Sequence, residues 1–212
     1  MRLKAGSPAL QLNLQQAAVP KFRSQIAKEY IGLGFTHILP KGLDHILFVV
    51  GIFLLSLKLS PVLWQITAFT VAHTITLALT IYGYISLSPS IVEPLIALSI
   101  VYVGVENILT SRLKPWRVLV VFIFGLLHGM GFAGVLTEIG LPRSEFVTAL
   151  ITFNVGVELG QLAVIGIALL LVGGFRNKSW YRRWIVVPIS LVISLIGLYW
   201  CLDRVTWTQL IA

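Results

Sequence analysis

The stretch "HILPKGLDHILF" (residues 37–48) places two histidines, an aspartate and a lysine at the start of a long apolar run. Pro40 lacks a backbone donor and Gly42 permits unusual dihedrals, so we predict a break between a half-helix over residues 30–39 and the helix that follows. A broken helix at membrane depth is tolerated only where it is buried in protein or lines a cavity. We therefore expect the polar side chains of this stretch to face a polar cavity rather than lipid.

The composition of the whole chain predicts a membrane environment. Of its 212 residues, 57% are hydrophobic and only 11% are charged, whereas a soluble domain carries about a quarter charged residues. Apolar stretches of roughly 20 residues, long enough to cross a bilayer, recur along the chain, and the shorter alternating segments of a membrane barrel do not occur. We predict an all-α polytopic membrane protein with about six transmembrane helices. The expected spans cover residues 43–57, 62–84, 92–110, 117–137, 145–172 and 184–202.

The chain divides into three parts by composition. Residues 1–28 are polar and basic and are expected to form a helix at the membrane interface, residues 29–205 form the membrane domain, and residues 206–212 are a short tail. The first part lacks the apolar core of a cleavable signal peptide, so we expect the spans themselves to direct insertion.

The basic residues are distributed as in a membrane protein rather than a nucleic-acid-binding protein. The net charge is +8, but lysines and arginines concentrate at span ends and in short loops. The loops after the first, third and fifth spans carry most of the loop cations. This predicts that these loops are cytoplasmic and that both termini lie outside a bacterial inner membrane. The expected partner is the lipid bilayer, not nucleic acid, and a homo-oligomer or a partner in metalloenzyme maturation is compatible with this.

Ionisable side chains inside the spans are candidate functional residues, because hydrocarbon penalises each of them. All four histidines lie in or beside spans, as do most acidic residues. Asn154, Glu158 and Gln161 follow at i, i+4 and i+7 and share one helix face. The candidate metal ligands are His37, Asp44, His45, His73, His128 and Glu158. The supporting or pathway residues are Glu106, Asn154, Gln161, Thr70 and Thr74, and the expected helix-packing residues are Gly125 and Gly129.

These residue types suit a divalent transition metal. Imidazole and carboxylate favour Ni, Co, Zn or Mn over Cu(I), which prefers sulfur, and only Met130 and Cys201 offer sulfur near the spans. A single cysteine also excludes an intramolecular disulfide and a cysteine-based metal cluster. Structural roles stay open beside this interpretation. Asn154 and Gln161 can join helices by hydrogen bonds, and Glu93 can lie at the positive end of a helix dipole.

Five motifs stand out along the membrane region: "GFTHILPKGLDHILF", "FTVAHTITL", "VEPLIALSIVYVGVEN", "FGLLHGMGFAGVL" and "FNVGVELGQ". Together they resemble the HupE/UreJ family of hydrogenase and urease accessory membrane proteins, over most of the chain. The resemblance implies a secondary transporter for nickel or cobalt. It also implies that the family's first-helix histidine–aspartate motif corresponds to His37, Asp44 and His45. Further motif positions correspond to His73, His128 and Glu158.

Three functional hypotheses follow from the sequence. The favoured one is a transporter of a divalent transition metal ion, with nickel or cobalt favoured and zinc as the alternative; no Walker-type motif occurs, so the chain itself carries no visible ATP site. The second is an intramembrane zinc-dependent hydrolase, with three protein ligands and one position open to water. The third is a non-catalytic membrane assembly subunit or metal chaperone.

Overall fold

The computed structural model describes residues 22–56, 58–139 and 145–211, and every regular element within these ranges is a helix. Most of the expected N-terminal segment therefore lies outside the described residues. The seven α-helices are α1 (Arg23–Ile38), α2 (Leu43–Leu55), α3 (Leu59–Ile81), α4 (Pro89–Leu109), α5 (Arg117–Ile139), α6 (Phe146–Val172) and α7 (Val187–Ile211). A 3₁₀ turn (Gly173–Phe175) follows α6, and a π-helical turn (Arg182–Val186) leads into α7.

The helices confirm the class of an integral membrane protein, while the predicted number of six spans is approximate. Helices α3, α4, α6 and α7 are each long and apolar enough to cross a membrane, and α1 with α2 adds a fifth span if the bent pair is counted as one. The expected fourth span corresponds to α5. Its apolar part, Arg117–Phe132, is shorter than the four helices that are long enough to cross a membrane.

The predicted break in the first membrane segment is confirmed. Helix α1 ends at Ile38, α2 begins at Leu43, and the two helices meet at an angle of 72°. The turn between them contains a cis peptide bond at Leu39–Pro40 and has Gly42 at the position before α2. A Cβ atom on Gly42 would overlap the carbonyl oxygen of His37, so the turn requires glycine there.

The connection between α3 and α4 shows how local sequence sets helix ends. Gly83 follows α3 with a φ of 76°, a left-handed conformation that glycine adopts without steric cost. Ser88 then caps α4, because its side chain accepts a hydrogen bond from the backbone N–H of Ser90 at 3.3 Å. Pro89 occupies the first helical position, where its missing N–H is not needed.

Three helix pairs pack with their backbones close together through glycines. In the pair α1/α6, Gly34 lies against the backbone of Phe153. In the pair α3/α5, Gly125 and Gly129 lie against the backbone of α3, so the two residues expected to pack helices occupy such a contact. In the pair α4/α7, Gly104 lies against the backbone of α7. Small residues permit this approach in a membrane, where association depends on van der Waals packing.

Helix α2 lies in the middle of these pairs and contacts α1, α3, α4, α6 and α7. Its side chains Phe48, Val49, Ile52 and Phe53 are fully buried and form the centre of the apolar core. The start of α2 carries Asp44 and His45 directly after the break. The fold therefore places the polar end of the central helix at the break between α1 and α2.

Candidate metal centre

Three histidines from three helices converge at the break. His37 comes from the last turn of α1, His45 from the first turn of α2 and His73 from α3, and each offers one ligand atom within 4.8 Å of the others. The ring centroids of His37 and His45 are 4.7 Å apart. On one straight helix, a separation of eight residues would put them about 12 Å apart along the axis. The break is therefore what brings these two side chains together.

His128 of α5 extends this group on the side of His45. The centroids of these two rings are 4.9 Å apart, and His128 is buried. His128 reaches the group because Gly125 and Gly129, on either side of it, let α5 pack closely on α3. The four histidines, here called the histidine cluster, thus come from α1, α2, α3 and α5.

Three residues of the histidine cluster share a pattern of hydrogen bonding at the ring nitrogens. The Nδ1 atom of His45 lies 3.0 Å from Oδ1 of Asp44, that of His73 lies 3.0 Å from Oδ1 of Asn154, and that of His128 lies 2.8 Å from the carbonyl oxygen of Phe124. Each partner is an acceptor, so Nδ1 carries the proton and Nε2 keeps its lone pair.

All four Nε2 atoms of the histidine cluster are buried and have no hydrogen-bond partner among the described residues. Leaving a buried polar atom unpaired costs free energy, and native proteins rarely do so without a functional reason. Neutral imidazole nitrogens whose other nitrogen is held by an acceptor are a common arrangement at metal sites. The cluster is therefore suited chemically to bind a cation.

Asp44 and Asn154 orient two of these histidines. Besides the contact with the ring, Oδ1 of Asp44 accepts a hydrogen bond from the backbone N–H of His45 at 2.8 Å. Asn154 is itself held, because its Nδ2 donates to the carbonyl oxygen of Leu150 at 2.8 Å. Asn154, expected as a supporting residue, thus contacts a candidate ligand directly. Asp44 lies beside the group of three histidines, where its carboxylate contacts His45.

Two further polar pairs join α3 and α6. Thr67 Oγ1 donates to Glu158 Oε1 at 2.8 Å, and Thr70 Oγ1 donates to Gln161 Oε1 at 3.0 Å. Thr74 Oγ1 donates to the carbonyl oxygen of Thr70 at 2.7 Å. Glu158 is thus bonded to Thr67, and the structure does not bring it into the group of three histidines whose ligand atoms lie close together.

Glu106 lies far from the histidine cluster. It is near the end of α4, where its Oε2 is 3.4 Å from Nε of the buried Arg117. Glu93, which shares a cavity with His37, His45 and His128, is 13 residues earlier on the same helix. Glu106 is therefore about 20 Å from it along the helix axis. Arg117 also donates to Oδ1 of Asn107 at 3.3 Å. Glu106 therefore serves here as the partner of a buried cation.

A cavity of about 220 Å³ leads to the histidine cluster; we call it the access cavity. Its polar lining residues are His37, Asp44, His45, Glu93, His128 and Arg204. Arg204 Nη1 donates to the carbonyl oxygen of Glu93 at 2.8 Å, and its Nε lies 3.9 Å from Oε2 of the same residue. Arg204 was missed by the sequence interpretation, which gave Glu93 only a helix-dipole role. The expected topology, which puts the start of α4 and the end of α7 on one side of the membrane, is the signal that could have paired them.

The comparison with known families agrees with these motifs. A model of the family described as HupE / UreJ protein matches residues 13–204. The chain belongs to the HupE/UreJ family. Membership of this family indicates a membrane protein involved in the handling of nickel or cobalt for hydrogenase or urease. No curated protein and no solved structure matches the chain.

The HupE/UreJ match covers every residue of the histidine cluster, and it covers Glu93 and Arg204 of the access cavity. It also covers the polar pairs between α3 and α6. The matched region therefore includes the whole candidate centre.

Proposed function

We propose that this protein is an integral membrane transporter of a divalent transition metal ion, with nickel or cobalt favoured over zinc, and that the histidine cluster binds the ion during transport. The observation that carries the proposal is the set of four buried Nε2 atoms without hydrogen-bond partners among the described residues. Imidazole nitrogen is a ligand that nickel, cobalt and zinc all accept.

The charges around the access cavity support the capture of a cation. Asp44 and Glu93 line the cavity, and their side chains are 26% and 53% exposed, so both carboxylates are open to solvent or headgroups. Arg204 lines the same cavity, so its two carboxylates against one guanidinium leave a net negative charge, which raises the local concentration of cations. From there the ion would meet His37 and His45, and then the fully buried His73.

The polar pairs of α3 and α6 supply the next part of the proposed path. Thr70 lies about one turn before His73 on α3, and Thr67 about one turn before Thr70. Their partners Gln161 and Glu158 add an amide oxygen and a carboxylate along the same seam. Oxygen ligands bind these ions less tightly than a histidine set does, which favours release toward the start of α3. Glu158 would then act on the exit path rather than in the first binding step.

The ligand spacing also suits a transient site. Nitrogen atoms bound to one ion at about 2.0–2.1 Å cannot lie more than about 4.2 Å apart. The ligand atoms of His37, His45 and His73 lie within 4.8 Å of one another, so binding an ion would draw them together slightly. A site that must contract to bind can relax to release.

A second candidate function has one observation in its favour. Three histidines beside a cavity are also the ligand set of a catalytic zinc site with one open position. Asp44, next to His45, would be the carboxylate available as a general base. A hydrolase keeps its zinc through many turnovers, whereas a transporter must release its ion.

Metal uptake into proteoliposomes tests the proposal. The assay compares Ni²⁺, Co²⁺ and Zn²⁺ for the unchanged protein, for His73→Ala/His128→Ala and for the control Gln65→Leu. Gln65 is fully buried on α3 like His73, but its side chain donates only to the carbonyl oxygen of Pro61 in its own helix. We expect saturable uptake that the control retains and the folded double variant loses. No uptake, with one zinc ion retained per chain, would instead support the hydrolase.

A further inference from the structure

A second polar cavity lies beyond the C-terminal end of α2, at the other end of that helix from the histidine cluster. It has a volume of about 200 Å³, and we call it the cationic pocket. Its polar lining residues are Ser111, Arg176, Lys178, Ser179, Tyr181 and Arg182. No acidic residue is among the lining residues described by the structure. The pocket therefore has the charge and hydroxyl groups of a phosphate-binding site.

Arg176 is the most unusual residue of the cationic pocket, because it is a cation with only 8% of its surface exposed. Its Nη2 donates to the carbonyl oxygen of Ser56, and its guanidinium lies over the ring of Phe53 at 4.6 Å. Its Nε atom is buried without a hydrogen-bond partner, and no carboxylate pairs with it in the described part of the chain. Burying an uncompensated charge is costly, so an anionic ligand would supply the missing partner.

An apolar groove adjoins this pocket. It has a volume of about 300 Å³ and is lined only by hydrophobic side chains, mainly from α2 and α6. Leu54 lines both cavities. Phe53, which carries the guanidinium of Arg176 on its ring, also lines the groove. A molecule with a charged end and an aliphatic chain could therefore occupy both cavities at once.

The surroundings indicate that the cationic pocket lies at headgroup depth. Trp180 and Trp184 are 41% and 67% exposed beside it, and tryptophan is enriched at membrane interfaces. The expected topology puts the loop after the fifth span on the cytoplasmic side. Basic pockets between helices on that side are suited to anionic lipid headgroups. We propose that the cationic pocket and the apolar groove together bind one anionic phospholipid, with its phosphate in the pocket and an acyl chain in the groove.

Thermal unfolding of the purified full chain in detergent, with native mass spectrometry, tests this site. Phosphatidylglycerol should raise the Tm by roughly 5 °C when it is in large excess over its Kd, and should remain bound in the mass spectrum. Phosphatidylcholine, inorganic phosphate and glycerol 3-phosphate should each give a much smaller shift. A full shift with inorganic phosphate would overturn the lipid assignment, and an equal shift with phosphatidylcholine would overturn the role of the cationic pocket.

Paired variants separate this site from general attraction to anionic membranes. Lys178→Gln removes a lining cation, and Arg183→Gln removes an exposed cation of the nearby π-helical turn that does not line the pocket. We expect Lys178→Gln to weaken phosphatidylglycerol binding about fivefold, as the loss of one interfacial charge does, and Arg183→Gln to leave it nearly unchanged. Ala168→Trp, which fills the groove, should abolish the lipid-induced shift. Equal loss in both charge variants, or full lipid binding in Ala168→Trp, would contradict the proposal.

Discussion

The Nδ1 atom of His73 lies 3.0 Å from Oδ1 of Asn154, and this contact joins α3 to α6 within the buried interior. Because the amide oxygen can only accept, Nδ1 of His73 carries the proton and Nε2 is the nitrogen left for a cation. Asn154 could serve only to join the two helices by this hydrogen bond, but it also fixes the tautomer of His73, a candidate ligand.

Replacing Asn154 should weaken metal binding more than it weakens the fold. Asn154→Leu keeps the branched shape and the number of side-chain heavy atoms but frees the imidazole of His73 to rotate and to change tautomer. We expect the affinity for Co²⁺ or Ni²⁺ to fall about 10- to 100-fold, as is typical when the partner of a ligating histidine is removed. Equilibrium dialysis of the purified protein measures this. Gln65→Leu, which removes a buried hydrogen bond within α3 that involves no candidate ligand, is the control and should leave the affinity nearly unchanged.

The glycine at the helix break should be essential for the geometry of the histidine cluster. In Gly42→Ala the new methyl group would overlap the carbonyl oxygen of His37, so either α1 or α2 must shift. We expect a loss of about 1–3 kcal/mol in the free energy of unfolding and a loss of metal uptake. Gly32→Ala, in α1, is the control because no atom lies within 4 Å of its added Cβ. Normal uptake by Gly42→Ala would show that the turn does not position the site.

The charges of Glu93 and Arg204, which both line the access cavity, should act in opposite directions on metal capture. Glu93→Gln removes an attraction for the entering cation, and Arg204→Gln removes a repulsion from the same place. We expect the KM for metal to rise about two- to fivefold in the first variant and to fall by a similar factor in the second, with kcat little changed. Added salt should reduce both effects. Changes of the same sign in both variants would mean that the ion pair acts structurally.

The start of α6 should have a pH-dependent contact with α1. Arg23 Nε donates to Oε1 of Glu145 at 2.8 Å, and this hydrogen bond, with a second from Thr148, lowers the pKa of the Glu145 carboxyl below its ordinary value of 4.5. A carboxyl whose pKa is lower in the folded state contributes stability above its unfolded pKa, and this is lost as the pH falls through the folded value.

Thermal unfolding of Glu145→Gln against the unchanged protein measures this contribution. The difference in Tm should be small, because Arg23 is largely exposed. It should be constant above about pH 5.5 and should disappear as the pH falls below the lowered pKa. A difference that persists in acid would mean that the glutamine variant disturbs the helix start itself.

Much of this architecture is predictable from local sequence signals. The helix break follows from Pro40 and Gly42, because a missing backbone donor and a glycine-only turn are properties of those residues themselves. The helical spans follow from hydrophobicity and length. Likewise, the shared face of Asn154 and Gln161 follows from the 3.6-residue period of a helix.

The contacts that sequence could not supply are those between helices. Periodicity says which residues share a face, but the partner of a face depends on packing angles and on close approaches at glycines. The contact between Arg204 and Glu93 is an example, because the expected topology puts both residues on one side of the membrane but periodicity does not bring them together. Glu158, expected with the histidines, is bonded to Thr67, because its position along α6 meets α3 nearer the start of that helix than His73.

The central claim is that imidazole nitrogens of the histidine cluster bind the transported ion. X-ray absorption at the cobalt edge, on purified protein loaded with one equivalent of Co²⁺, tests it most directly. We predict a first shell with at least three imidazole nitrogens, matching the group formed by His37, His45 and His73. The shell should lose imidazole scattering in His73→Ala/His128→Ala but not in Gln65→Leu. A first shell of oxygen atoms alone in the unchanged protein would contradict the account.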